Sequence, residues 1–194
     1  ADLTRVLERL PGVSFSRKGG ENNTGIEIKD TNLMGWGKTL AFSRDSNVDR
    51  TSWLFDYHDP NLLGTWWTLG LDYADSSDGH LYGLAIGRPF YSLKTPWSVG
   101  FAWSDGLSTV SRYDRGVVID QFEAKRQVLE LNGGVKRDAR AGWTSRYLGG
   151  FHYDRHEFAP TALPLVGELP PDRMLSFPWV GIEWLEDSYS TTMN

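Results

Sequence analysis

The 194-residue chain contains no cysteine. That excludes disulfide frameworks and thiolate metal sites, suits many compartments and selects none. Long apolar runs are missing too, since none approaches the roughly 20 residues that a membrane-spanning helix requires. A spanning helix is excluded, but a barrel strand is not: it needs only about 9–11 residues and turns one face to lipid, so half of it can be polar. The mean hydropathy of −0.41 is compatible with such strands. Basic charge is scarce: the net charge is −5 and the pI near 5.4, with Lys and Arg scattered among the acids. The basic stripe that binds a phosphate backbone is absent, and nucleic acid is not an expected partner. Residues 1–11, ADLTRVLERLP, lack the basic start and apolar stretch of a signal peptide, so the chain reads as a mature or excised piece. Its length allows one domain with a sizeable core.

Helical periodicity is confined to LTRVLERLPG, about two amphipathic turns ended by Pro11 and Gly12. Period 2 then takes over. Trp67, Leu69, Leu71 and Tyr73 are large and apolar, while Thr68, Gly70, Asp72 and Ala74 between them are small or polar. The same split separates Trp53, Phe55 and Tyr57 from Ser52, Asp56 and His58, and Tyr82, Leu84 and Ile86 from Gly83, Ala85 and Gly87. It recurs at Trp97, Val99, Phe101 and Trp103, and at Trp143, Tyr147, Phe151 and Tyr153. The expected fold class is all-β.

Two architectures produce such alternation. In a soluble sandwich the large residues meet in a core; in a membrane barrel they face lipid, with Trp and Tyr gathered at both interfaces. Turn spacing favours the barrel. Asp30 opens DTNLMGW, Asp59 opens DPNLLGTWW, and Arg88 opens RPFYSLKTPW, at a constant interval of 29 residues. Two strands of about ten residues plus two turns fill that interval, as in an up-and-down antiparallel meander. The turns at 30–38, 59–65 and 88–96 should therefore share one rim, and the polar loops near 18–23, 44–50 and 75–80 the other. The same count puts the long connection 158–173 at the first rim. Trp53, Phe55, Tyr57, Trp67, Leu69, Leu71, Tyr73, Tyr82, Leu84, Ile86, Val99, Phe101 and Trp103 should form one outward, lipid-facing surface. Asp59 and Asn61 should hydrogen-bond nearby amides, with Gly64 at positive φ, so Asp59 should matter mildly, through one local hydrogen bond worth about 0.5–1.5 kcal/mol.

The stretch from NTGIEIKDTNLMGWGKTLAFSRDSN to TSWLFDYHDPNLLGTWWTLGLDYADSSDGHLYGLAIGRPFYSLKTPWSVG resembles the first part of the barrel in the bacterial outer-membrane surface-antigen superfamily, the BamA/TamA-like proteins. Asp30, Asn32, Gly35 and Gly37 match that family's D-x-N-x-x-G-x-G turn at the periplasmic rim, and Asp59, Asn61 and Gly64 its repeat. The resemblance is carried mainly by residues 12–105. It implies a sixteen-stranded outer-membrane barrel preceded by periplasmic POTRA modules, acting in insertion or translocation of proteins. Residues 1–12 would then be the tail of such a module and 13–194 a partial barrel of about ten or eleven strands. Implied partners are the lipid bilayer, unfolded outer-membrane proteins and the remaining barrel strands; no cofactor is implied. The chain departs from the family at DRGVVID, where Arg115 and Gly116 are followed by Val117 in place of an aromatic residue.

Catalytic chemistry finds little support. Glu183, Glu186 and Asp187 suggest paired glycosidase carboxylates, but Glu183 and Glu186 would fall on opposite faces of a strand. His152 and His156, four apart, would lie about 13 Å apart on a strand and could not share one metal ion. No nucleophile elbow, phosphate loop or dinucleotide-binding glycine pattern occurs, and Asn22 only formally satisfies a glycosylation pattern. An enzyme is not expected. The alternative from another class is a soluble, aromatic-rich β-sandwich that binds or cleaves carbohydrate.

Overall fold

The computed structural model describes residues 13–20, 23–47, 50–138, 143–163 and 167–186. The expectations for residues 1–12, Asn22 and Asp187 lie outside them. Among the described residues ten strands run in chain order: β1 (Val13–Gly20), β2 (Asn23–Asp30), β3 (Thr39–Asn47), β4 (Thr51–Asp59), β5 (Thr68–Ser76), β6 (Gly79–Arg88), β7 (Trp97–Asp114), β8 (Val117–Asp138), β9 (Trp143–Pro160) and β10 (Arg173–Glu186). All belong to one antiparallel sheet in sequence order, each strand pairing with its neighbours in the chain. Helix among the described residues is limited to two single turns, Leu33–Gly35 and Leu62–Gly64. Among the described residues β1 and β10 do not pair with each other, so the sheet is open.

A meander fixes the rims. The connections after β2, β4, β6 and β8 lie at one rim, and those after β1, β3, β5, β7 and β9 at the other. The connection between β9 and β10 therefore sits opposite the turns at 30–38, 59–65 and 88–96, which corrects the expected place of 158–173. The reason is the length of β7 and β8. β7 and β8 run for 18 and 22 residues without interruption, so 97–138 holds a single hairpin. Its two-residue turn, Arg115 at φ 48 and Gly116 at φ 82, has the left-handed geometry that matches strand twist. The Arg-Gly pair is a hairpin tip between the paired residues Asp114 and Val117.

The register joins the apolar positions into one face. Phe55 lies opposite Phe42 and Tyr73, Tyr57 opposite Leu40 and Leu71, Leu84 opposite Leu71 and Trp103, and Ile86 opposite Leu69 and Phe101. Phe101 continues to Leu131, Phe151 and Pro178. The single layer leaves this face uncovered. Phe122 is the one buried hydrophobic residue among those described, whereas Trp53, Phe55, Leu71, Tyr73, Tyr82, Val99 and Trp103 are each 37–43% exposed.

Glycine at 79 is required by the tight β5–β6 turn, where φ is +156 and a Cβ would run into the Leu107 carbonyl. Gly79→Ala should destabilise the sheet by about 1–3 kcal/mol or more through overpacking. Gly70→Ala, whose added methyl would meet the Ala85 Cβ at an ordinary 3.7 Å, should change stability by less than about 0.5 kcal/mol. Thermal melts followed by far-ultraviolet circular dichroism separate the two; equal effects contradict this register.

Candidate functional site

The two near-identical sequence motifs fold into near-identical turns. In the first, the Asp30 carboxylate accepts the Asn32 amide at 2.8 Å, and in the second Asp59 accepts the Asn61 amide at 3.0 Å. Gly35 then donates to the Asn32 carbonyl at 2.7 Å and Gly64 to that of Asn61 at 2.8 Å, while Leu33 reaches Lys38 and Leu62 reaches Trp67. Chain reversal needs positive φ, which Gly35 (80), Gly37 (67) and Gly64 (73) adopt; so do Met34 and Leu63, both at 53. For these two side chains the left-handed region is strained. Asn32 also holds the Gly37 amide at 2.7 Å through its side chain, whereas the Asn61 amide group donates to the Thr65 carbonyl at 3.2 Å.

The turns differ in how they are tied to the sheet. Asp59 is only 1% exposed, and the Lys38 ammonium, from the preceding turn, lies 3.0 Å from its carboxylate. Tyr57 also donates to Asp59 at 3.4 Å. Burial pushes the Asp59 carboxyl up, but the Lys38 hydrogen bond, the Asn61 amide and the ammonium charge outweigh it and hold the group below the ordinary 3.8. The same hydrogen bond raises Lys38 above 10.5. Asp59 is thus a clamp between two consecutive turns, a larger role than the single local hydrogen bond read from sequence. Nothing in the sequence marks Lys38 as its partner, because the pair forms only when the turns stand side by side.

Trp66 and Trp67 lie in the turn ahead of β5 and not within the strand. Trp66 stacks on Tyr91 of the next turn, with ring centroids 4.1 Å apart and planes 12° from parallel. Arg88 lies over Trp97 at 4.0 Å, and Lys38 over Trp36 at 5.5 Å. Aromatic and cationic side chains thus line this rim. Phe90 and Ser92 of the same 88–96 segment reach the opposite face of the sheet, where Arg146 lies 4.3 Å over the Phe90 ring and donates to the Ser92 carbonyl at 3.1 Å.

Charge is kept out of a band on the apolar face, with Asp59 opposite Leu69, Arg88 opposite Val99, and Arg44 and Asp75 opposite Trp53 at its borders. On the apolar face, no charged residue falls among Leu69, Leu71, Tyr73, Tyr82, Leu84, Ile86, Val99, Phe101, Trp103, Leu129, Leu131, Phe151 and Tyr153. The alternate positions hold the ion pairs of Arg126 with Asp154 at 2.9 Å and of Arg146 with Glu183 at 3.5 Å, and His156 and His152 lie 3.1 Å from Asp154 and 3.6 Å from Glu130. Glu183 and Glu186, singled out in the sequence, are apart in role, for Glu183 pairs with Arg146 and Glu186 ends β10. His152 and His156 each take a different carboxylate.

The uncharged band also slopes. Followed across paired residues, Phe55 at the centre of the band on β4 leads to Tyr73, Tyr82, Asp105, Gln127, Arg155 and Met174. The row has left the band by β7. On β10 the band is Pro178, Val180, Ile182 and Trp184, centred about seven residues beyond Met174 after six strand spacings. At about 3.3 Å per residue and 4.8 Å per strand this is a shift of about 23 Å over about 29 Å, a slope of about 40°. Strands inclined to the axis of a closed barrel have tilts of about 35–45°. Beyond the band, β7–β9 carry Asp105, Thr109, Ser111, Gln121, Glu123, Lys125, Arg155 and Glu157 on the same face.

The clamp has a pH signature. Asp59, held low, contributes stability that is present above the ordinary carboxylate value and lost as pH falls through its folded value; Lys38, held high, contributes below 10.5 and loses it as pH rises past its folded value. Asp59→Ala should destabilise the fold more than Asp30→Ala, because no cation lies against Asp30 among the described residues. The deficit of Asp59→Ala relative to wild type should stay constant between about pH 5 and 9 and shrink on acidification below that range. Denaturant titrations at several pH values check both statements, and equal deficits for the two variants contradict the clamp.

Comparison with known protein families, with curated proteins and with solved structures gives no match.

Proposed function

We propose that the sheet is part of a bacterial outer-membrane β-barrel, with its apolar face against lipid and its charged face lining a polar lumen. The observation that carries this reading is the uncharged band with its slope. A soluble sheet has no reason to run its apolar stripe obliquely across its own hydrogen-bond rows. A barrel in a bilayer does, because the stripe must stay in the membrane plane while the strands tilt. The slope of about 40° is the value such tilt requires.

Three further features agree. Aromatic residues border the band on both sides, with Trp53, Tyr73, Tyr82 and Trp103 toward one rim and Trp66, Tyr91, Trp97, Tyr147 and Trp184 toward the other, as interfacial girdles do. β7–β9 project past the band toward the rim opposite the repeated turns, which suits the longer extracellular side of an outer-membrane barrel. The soluble sandwich would need a second layer over the apolar face, and all ten strands lie in one sheet. In lipid the edges of β1 and β10 must be paired with each other, with further chain or with a partner, since each unsatisfied backbone group there costs several kcal/mol.

The more specific activity, assembly, insertion or translocation of other proteins, is proposed on the likeness of the Asp30 and Asp59 turns to the periplasmic-rim turns of the surface-antigen barrels. The clients would be unfolded outer-membrane proteins.

The facing is tested by charge insertion on alternate positions. Leu71→Arg places a cation at the centre of the band, opposite Tyr57 and Leu84, and should cost about 2–4 kcal/mol if it meets the bilayer interior. Thr68→Arg extends into the open cavity of about 240 Å³ lined by His58, Thr68, Gly70, Ala85, Ala102 and Asn132, and should be mild. Folding yield into vesicles, read by resistance of the folded species to unfolding on a gel, compares the two. Equal losses refute a lipid-facing band.

A further inference from the structure

At the border of the band nearest the repeated turns stands a cation with no carboxylate. Arg88 ends β6 and faces the same way as Val99, its partner on β7. Its guanidinium lies 4.0 Å from the Trp97 ring centroid and 5.3 Å from that of Tyr91, and Trp66 stacks on the far side of the ladder against Tyr91 at 4.1 Å. Two donors are engaged within the protein: Nη1 donates to the Trp97 carbonyl at 2.7 Å and Nη2 to the Tyr91 hydroxyl at 3.2 Å. A guanidinium has five N–H donors, which leaves three uncommitted. Lys38, Arg50, Arg112, Arg126 and Arg155 each have a carboxylate within 3.1 Å; Arg88 has none at ion-pair distance among the described residues.

We propose that the Trp66, Tyr91, Arg88 and Trp97 cluster seats the phosphate of an anionic lipid headgroup, an inference that rests on the membrane reading above. A planar guanidinium offers a phosphate two parallel hydrogen bonds. The flanking rings and the two internal hydrogen bonds already hold its plane, so little side-chain freedom is lost on binding. The aromatic residues sit where headgroups lie, and at that depth phosphate is the abundant anion. What distinguishes a lipid from free phosphate is the surface leading away from Arg88. Ile86 and Phe101 on one side and Val99 opposite offer an uncharged path along which acyl chains can run toward the band centre.

The test uses the full chain reconstituted into phosphatidylcholine vesicles containing a minor fraction of phosphatidylglycerol. Flotation reports membrane association, and native mass spectrometry after gentle detergent extraction reports which lipid stays bound. Both lipids carry the phosphate, but the choline ammonium is repelled by the Arg88 guanidinium, so wild type should retain phosphatidylglycerol in preference to phosphatidylcholine. Arg88→Gln should lower that preference roughly tenfold, the scale of one charge-assisted hydrogen bond, and Arg88→Lys, which keeps the charge and loses the fork, should fall between them. Arg126→Gln, on the opposite face beside Asp154, should leave it unchanged. Millimolar inorganic phosphate should not displace the lipid; displacement identifies the site as one for free phosphate and overturns the proposal. If wild type floats but shows no preference, or Arg88→Gln and Arg88→Lys both keep it, the lipid site is refuted while the membrane reading stands. If wild type does not float, both fall.

Discussion

Cross-strand register is the constraint on which the rest of this structure depends. Side chains alternate between faces with a period of two, so a slip of one residue anywhere would exchange an aromatic residue for a glycine or a charge along the whole remaining strand. The pairs Phe55 with Tyr73, Leu71 with Leu84 and Ile86 with Phe101 hold because a shifted register would break the uncharged band. The turns set where each strand begins. A motif in which Asp, Asn and Gly close a reversal by their own hydrogen bonds fixes the starting residue of β3 and of β5 alike. The Lys38 and Asp59 pair then locks the two reversals to each other.

A one-layer sheet has two surfaces and no interior. With a single buried hydrophobic residue among those described, stability cannot come from a protein core, and the apolar face must be satisfied from outside. The opposite face is supported differently. Its ion pairs run across β8, β9 and β10, and the 88–96 segment bends over this face so that Arg146 meets a ring, a carbonyl and a carboxylate at once. One face calls for an apolar medium and the other is polar, the division that the proposed barrel wall would make.

The alternation at 53–57, 69–73, 82–86 and 99–103 was legible because large aromatic and aliphatic residues face small or polar ones there, and a period of two cannot be mistaken for a helix. Beyond Asp105 the contrast fades. Gly106, Ser108, Thr109, Ser111 and Arg112 are small or polar on both faces of β7, so the strand reads as loop, and the single long hairpin over 97–138 went unseen. The misplaced rim of 158–173 followed from that. The turn chemistry of Asp30, Asn32, Asp59 and Asn61 was local and therefore readable. The Lys38 clamp, the Trp66 to Tyr91 stack and the reach of Phe90 over the polar face join residues from different turns, and such pairs exist only once the register has brought the turns side by side.

The slope of the band is the central claim, and a chain without cysteine allows it to be measured directly. Single cysteines carrying a nitroxide, introduced one at a time in vesicle-reconstituted protein, report contact with dissolved oxygen, which concentrates in lipid, or with a water-soluble nickel reagent. Labels at 69, 71 and 73 should favour oxygen and those at 70, 72 and 74 the nickel reagent. Along the paired row, the label at Phe55 should be lipid-embedded and that at Met174 water-exposed, with Ile182 lipid-embedded again. Equal oxygen contact at Phe55 and Met174, or no alternation along β5, would contradict the account.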